Sequence, residues 1–169
     1  MLFIVKNVIK KRFINKMENN YQNLIDLNKY QVFLFKSRVT FPFIFAIHPW
    51  FVLNKKGELS RWEVIHIKGY KAEEKWGHLY KNLFPLFQGL GFFIFSKKPT
   101  FKIKLIGSVE GDLASKMISF IENSPENYKH KYIYHFRGPN SNTFATWIIN
   151  NFPDSGMKLP WNAFGKNYE

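Results

Sequence analysis

Residues 43–68 read FIFAIHPWFVLNKKGELSRWEVIHIK. Two runs of aromatic and branched side chains, Phe43–Leu53 and Glu58–Lys68, flank Asn54-Lys55-Lys56-Gly57. Such side chains suit a pleated, half-buried surface, and an Asn-to-Gly cluster between them marks a turn. The stretch predicts an antiparallel hairpin. Upstream, Gln31–Lys36 reads as another strand. Downstream, Trp76, Leu79, Tyr80, Leu83 and Phe84 recur at helical spacing, which predicts a helix over 72–84 ended by Pro85. Gly91–Phe95 and Phe101–Ile106 read as strands, the second with Phe101, Ile103 and Leu105 alternating against Lys102 and Lys104. Asp112 reads as the N-cap of a helix carrying Leu113, Met117, Phe120 and Ile121 and ending near Asn123. Lys131–Phe136 alternates as a strand, and Gly138-Pro139-Asn140 as a sharp loop. Phe144, Trp147, Ile148 and Phe152 stripe a short helix closed by Pro153, and residues 154–169 form an ordered coil. The expected fold is α+β: one domain, with a mostly antiparallel sheet flanked by helices.

Length and composition agree with one domain. The chain has 169 residues, and its 46% hydrophobic content excludes wholesale disorder. The sequence has no cysteine, which removes disulfides, thiolate metal sites and any Cys nucleophile. The formal charge of +13 suits an anionic partner, either a lipid surface or nucleic acid. Lysine carries most of that charge, with arginine only at positions 12, 38, 61 and 137. Specific phosphate and base readers favour arginine's planar fork, so no specific nucleic acid is expected. Compositional bias toward Lys, Asn, Ile and Phe is the competing source of the charge.

Residues 1–30 read as a basic amphipathic extension to a domain spanning 31–169. Phe3, Val5, Val8, Ile9, Phe13 and Met17 fall near one another at helical spacing, beside Lys6, Lys10, Lys11, Arg12 and Lys16. The readings are a membrane-surface foot, a terminal helix packed on the domain, or a mobile tail. The charge follows the apolar start, the reverse of a signal peptide. No window approaches the roughly 18 apolar residues of a spanning helix. The expected location is cytoplasmic or peripheral to the inner membrane.

Three places combine reactive residues with punctuation. His48 interrupts an apolar strand and precedes Pro49, which argues for an edge or bulge. It reads as a site residue or as a core histidine. Glu63 sits in a strand between Trp62 and Val64, and an unpaired buried carboxylate is costly. It needs a partner: His48 from the neighbouring strand, or Arg61, Arg38 or a backbone donor. Ser141 lies in Gly138-Pro139-Asn140-Ser141-Asn142-Thr143-Phe144, where a tight turn enters a helix. Free N–H groups and the positive end of the helix dipole favour an oxyanion there. Capping alone would also account for Asn140 and Ser141. The GxSxG, Walker, GxGxxG and HExxH patterns are missing, and His48, His66, His78, His130 and His135 lack metal-ligand spacing. No metal and no cofactor is expected.

His48-Pro49-Trp50-Phe51, Arg61-Trp62-Glu63-Val64, GPNSNTF over 138–144, Leu159-Pro160 and Ala163-Phe164-Gly165-Lys166-Asn167-Tyr168 resemble an uncharacterised bacterial domain-of-unknown-function family. The resemblance spans roughly residues 40–168 and rests chiefly on GPNSNTF. It implies no activity. More distantly, the order of a strand histidine, an acidic residue on the next strand and a nucleophile at a helix start is similar to permuted papain-like (NlpC-type) proteins. That likeness implies Ser141 as nucleophile, His48 as base and Glu63 as orienter, with His66 as fallback orienter. The likeness departs at Ser141, where those proteins usually carry cysteine, and serine must lose its proton to the base during attack.

The functional expectation is hydrolysis or transfer of an acyl group on an amide or ester by a Ser-His-Glu site. Asn140, Asn142, Trp50, Trp62 and His66 are the candidate binding residues. The substrate class is open among small molecules, peptides and lipids. The alternative is an inactive basic module binding an anionic lipid surface or nucleic acid. A third reading is an envelope-associated protein held by residues 1–20.

Overall fold

The structure, a computed structural model, describes residues 21–39, 42–67, 76–90 and 102–168. The hairpin is its centre. β2 (Ile47–Lys55) turns through Lys56 and Gly57, both at positive φ, into β3 (Glu58–Val64). β1 (Tyr30–Arg38) pairs antiparallel with the other side of β2 along its whole length. β4 (Leu79–Lys81) adds to β3, and β5 (Lys104–Glu110) to β1. Among the described residues the sheet has five strands in the order β4-β3-β2-β1-β5, each pair antiparallel.

Both faces of this sheet are covered, so its strands read as nearly continuous apolar runs. On one face Val32, Leu34, Phe51, Leu53, Trp62, Val64 and Leu79 pack against α1 (Asp112–Glu122) and α3 (Ser141–Asn151). A one-turn helix, α2 (Ser124–Asn127), joins them. On the other face Phe33, Phe35, Trp50 and Val52 meet Phe87 and Ile103. Tyr21 and Ile25 close that side, with the Tyr21 hydroxyl donating to Ile103 O at 3.1 Å. The α+β fold with an antiparallel sheet flanked by helices matches the expectation from sequence. Residues 1–20 of the basic extension lie outside the described residues, as does the expected strand 91–95.

Several element boundaries need correction. Of the helix expected over 72–84, residues 72–75 are not described, and Leu79–Lys81 is strand β4. Gly77 turns at φ 60°, and a Cβ there would collide with Lys131 O. Leu79 and Tyr80 pair with Val64 and Glu63 instead, so sheet pairing overrides the helical stripe. The strand expected over 131–136 is irregular: Lys131 O accepts from His78 N, and His135 O and Phe136 O accept from the Asn140 side chain. With those carbonyls taken, 131–136 joins no ladder. Residues 43–46 form a turn, with Ala46 N donating to Phe43 O, so β2 begins at Ile47. β3 ends at Val64, and β5 begins at Lys104. Gly111 caps α1, leaving Asp112 in the first turn, where its charge favours the dipole. The last helix starts earlier than its apolar stripe, at Ser141.

Candidate active site

The β2–β3 ladder stops at Phe51↔Trp62, so among the described residues 47–50 of β2 pair with β1 alone. Pro49 falls in this half-open stretch, where a missing donor is tolerated. His48 lies beside it with only 1% of its surface exposed. Its Nε2 is 2.7 Å from Glu63 Oε2. Glu63 is itself buried and shares its strand face with Arg61. Arg61 Nη2 donates to Glu63 Oε2 at 2.8 Å, and Nε lies 2.7 Å from Oε1 as an ion pair without an aligned hydrogen bond. Nη1 donates to Pro85 O at 2.7 Å and Gln88 O at 2.5 Å, while the guanidinium sits 4.3 Å over the Trp50 ring. Glu63 thus has two of the side-chain partners considered for it, His48 and Arg61.

This arrangement sets the charges. Burial works to raise the Glu63 pKa, but the His48 hydrogen bond and the Arg61 charge outweigh it and hold the carboxyl below its ordinary value. Burial also pulls His48 below the ordinary histidine value, and its bond to Glu63 only partly opposes this. The imidazole is therefore neutral at pH 7. An ionised carboxylate only accepts, so Nε2 carries the proton and Nδ1 keeps its lone pair.

The pH dependence of stability follows in sign. For both groups the folded pKa lies below the unfolded one, so on acidification the unfolded chain binds the proton first. Stability is complete above the ordinary histidine value of 6.5 and falls below it as His48 resists protonation. It falls further below the ordinary carboxyl value of 4.5 through Glu63. Urea midpoints at a series of pH values should decline from about pH 6.5 downward. The slope between about pH 6.5 and 5 should shrink in His48→Gln. A wild-type midpoint level from about pH 7 to 5 would contradict this charge assignment.

Ser141 is the first residue of α3. Asn140 caps the helix: its Oδ1 accepts from Asn142 N at 2.9 Å and Thr143 N at 3.4 Å, and Asn140 N donates to Thr143 Oγ1 at 3.1 Å. The cap leaves Ser141 N–H outside these bonds. Asn140 Nδ2 is spread over His135 O, Phe136 O and Phe164 O. Asn142 Nδ2 donates to Phe164 O at 2.8 Å and, at 3.3 Å, to Ile47 O on the half-open edge of β2. That last bond carries the start of α3 to the strand bearing His48. Gly165 stands at φ +86° with Asn140 Nδ2 only 2.5 Å from where a Cβ would be, so the C-terminal turn needs glycine to close over the cap.

His48, Ser141 and Tyr134 line one cavity of about 180 Å³, walled otherwise mainly by Val39, Ile47, Leu90, Phe136 and Phe164. Burial pulls the Tyr134 phenol up from its ordinary value, and the neighbouring Ser141 partly opposes that pull. Among the described residues no direct hydrogen bond joins His48 to Ser141. Tyr134 was not legible as a site residue, because alternation with Tyr132 and Phe136 reads as a core stripe. Asn140 and Asn142 reach the cavity wall, but their amide donors are occupied by backbone carbonyls.

The remaining binding candidates lie elsewhere. Trp50 is buried under Arg61, with Nε1 donating to Leu86 O at 2.9 Å. Trp62 is on the opposite sheet face, stacked on Trp76. His66 is exposed, with its ring 5.2 Å from that of His78 and 5.9 Å from that of Tyr134. Among the described residues no three His, Asp or Glu side chains gather to hold a metal ion. No described helix is long and apolar enough to cross a membrane.

No curated protein and no solved structure matches the chain. A family model described as "Protein of unknown function (DUF3750)" does match, over residues 29–168. That span takes in the whole hairpin, the capped helix and the turn around Gly165, so the chain belongs to the DUF3750 family.

Proposed function

We propose that the protein is a serine-dependent acyl hydrolase or acyltransferase acting on an ester or amide. One observation carries the reading. A buried histidine, oriented through Nε2 by a carboxylate at 2.7 Å, lines the same cavity as a serine at a helix N-terminus. With Nε2 committed, Nδ1 of His48 is the ring nitrogen left to act as base. Ser141 Oγ attacks the carbonyl carbon as its proton passes to Nδ1. The resulting oxyanion is met by Ser141 N–H and the Tyr134 hydroxyl, the two donors beside Oγ. Collapse breaks the bond to the alcohol or amine, which leaves with the proton from His48. Water or an acceptor amine or alcohol then takes the acyl group from Ser141. The distant likeness to permuted papain-like proteins supports the same roles. Active-site hydrogen bonds commonly tighten only when substrate is bound, so a cavity between base and nucleophile is compatible with catalysis.

The test uses a fluorophosphonate probe and p-nitrophenyl butyrate. Wild-type protein should be labelled at Ser141 and should turn over the ester. Ser141→Ala should lose both, with an unchanged melting temperature, since the cap is built from Asn140 and Thr143. Labelling of Ser141→Ala at the wild-type rate, or an inert wild-type protein, would overturn the proposal.

A further inference from the structure

Around the cavity mouth the protein exposes a contiguous aromatic surface. Phe43 stacks on Phe136 with ring centroids 4.7 Å apart, Phe45 meets Phe136 at 6.2 Å and Phe164 at 5.5 Å, and Ile44 stands exposed between the two. Phe136 and Phe164 stack in turn at 5.3 Å. Phe164 also borders a second, open pocket of about 380 Å³ whose wall holds Trp161, Arg137 and Lys166. Trp161 is 84% exposed, although its neighbour Asn162 is anchored by a bond from Nδ2 to Phe45 O at 2.8 Å. A contiguous exposed patch of this kind marks an interaction site.

We infer that this aromatic face, with Arg137 and Lys166 at its margin, docks the protein on an anionic phospholipid surface. Three features select that occupant. The exposed side chains are Phe, Ile and Trp on turns, over 43–45, 136 and 161, which can enter the headgroup region singly without an ordered partner. The rim is cationic and the whole chain carries +13, complementary to acidic headgroups. The patch is continuous with the mouth of the Ser141 cavity through Phe43, Phe136 and Phe164, so docking presents the cavity to the bilayer. The inference goes beyond the proposed chemistry and does not depend on it.

The experiment is partition of the full chain onto vesicles of phosphatidylcholine alone or with one-fifth phosphatidylglycerol. Binding should need the anionic lipid and weaken between about 50 and 500 mM KCl, by fivefold or more. Phe45→Ser/Trp161→Ala should bind at least about tenfold more weakly, as two aromatic rings no longer leave water. Arg137→Glu/Lys166→Glu should lose a similar factor, about tenfold. Residues 1–20 stay intact in every variant, so a loss belongs to the patch. Trp161 emission should shift to the blue and be quenched by brominated acyl chains, and Trp161→Phe should remove that signal. Ser141→Ala should bind like wild type, which separates docking from catalysis. Wild-type protein that ignores anionic vesicles, or patch variants that bind as wild type does, would overturn the inference. So would a dimer in lipid-free sedimentation that the patch variants abolish, since a second copy would then be the occupant.

Discussion

Arg61→Met is expected to lower the unfolding free energy by about 3–5 kcal/mol, the cost of removing one partner from a buried ion pair. Arg61 has no exposed surface, and the carboxylate it neutralises is equally buried. Methionine fills much of the aliphatic volume, so the loss is chiefly electrostatic. Gln88 O also loses its Arg61 donor and Pro85 O keeps only the bond from Gln88 N, which adds a desolvation cost. Glu63 would keep only His48. Without the Arg61 charge, burial is opposed by His48 alone, so the Glu63 pKa moves up from its depressed position. The acid decline that Glu63 contributes below its ordinary value of 4.5 should therefore be shallower in the variant. Arg61→Met/Glu63→Leu should be less destabilised than Arg61→Met alone, because an apolar pair leaves no buried charge. Urea titrations of the four species close the cycle. A loss below about 1 kcal/mol in the single variant would mean that water reaches the pair.

The same residues show how much the sequence could tell. The hairpin was readable because its alternation and its Asn-to-Gly turn are local signals. Glu63 stood out because a carboxylate in an apolar strand must be paired, and the short list of partners included both true ones. Ser141 at a helix start was readable from the turn residues before it. The helix expected over 72–84 failed for a physical reason. Trp76, Leu79, Tyr80, Leu83 and Phe84 suit a helical stripe, yet a three-residue strand uses Leu79 and Tyr80 on opposite faces of the sheet. Only the non-local edge of β3 decides between the two. Tyr134 was hidden for a similar reason. Its place beside Ser141 depends on Asn140 drawing in the carbonyls of His135 and Phe136, a tertiary bond with no sequence period. The candidate binding role of the Asn140 and Asn142 side chains could be weighed only once their amides were seen bonded to Phe164 O and Ile47 O.

Glu63→Gln should reduce kcat by about 10²–10⁴-fold with little change in KM, the scale of general-base catalysis, because the protonated His48 formed in the reaction loses its counter-charge. The substitution keeps the shape and removes one charge. Arg61 Nη2 and His48 Nε2 both meet Oε2, so the oxygen of the new amide takes that place and its nitrogen takes the place of Oε1. Nε2–H keeps its acceptor and the tautomer is unchanged, but the negative charge is gone. The amide nitrogen then faces Arg61 Nε, donor against donor. The imidazolium formed as Ser141 gives up its proton is left without a carboxylate beside it, which raises the transition state. Stability falls in the same variant, so rates are compared per folded molecule in dilute buffer at about pH 7.5, above the histidine range. Imidazole nitrogen NMR supplies a readout that a purely structural role would leave alone: His48 should report Nε2–H in both proteins and should take up its second proton at lower pH in the variant, because the Glu63 charge that raises its pKa is gone. Wild-type kcat/KM should also hold until pH drops below 6.5, because burial keeps His48 unprotonated there. Turnover within about tenfold of wild type, or an unmoved His48 titration, would remove Glu63 from the reaction and leave it as the counterion of Arg61 alone.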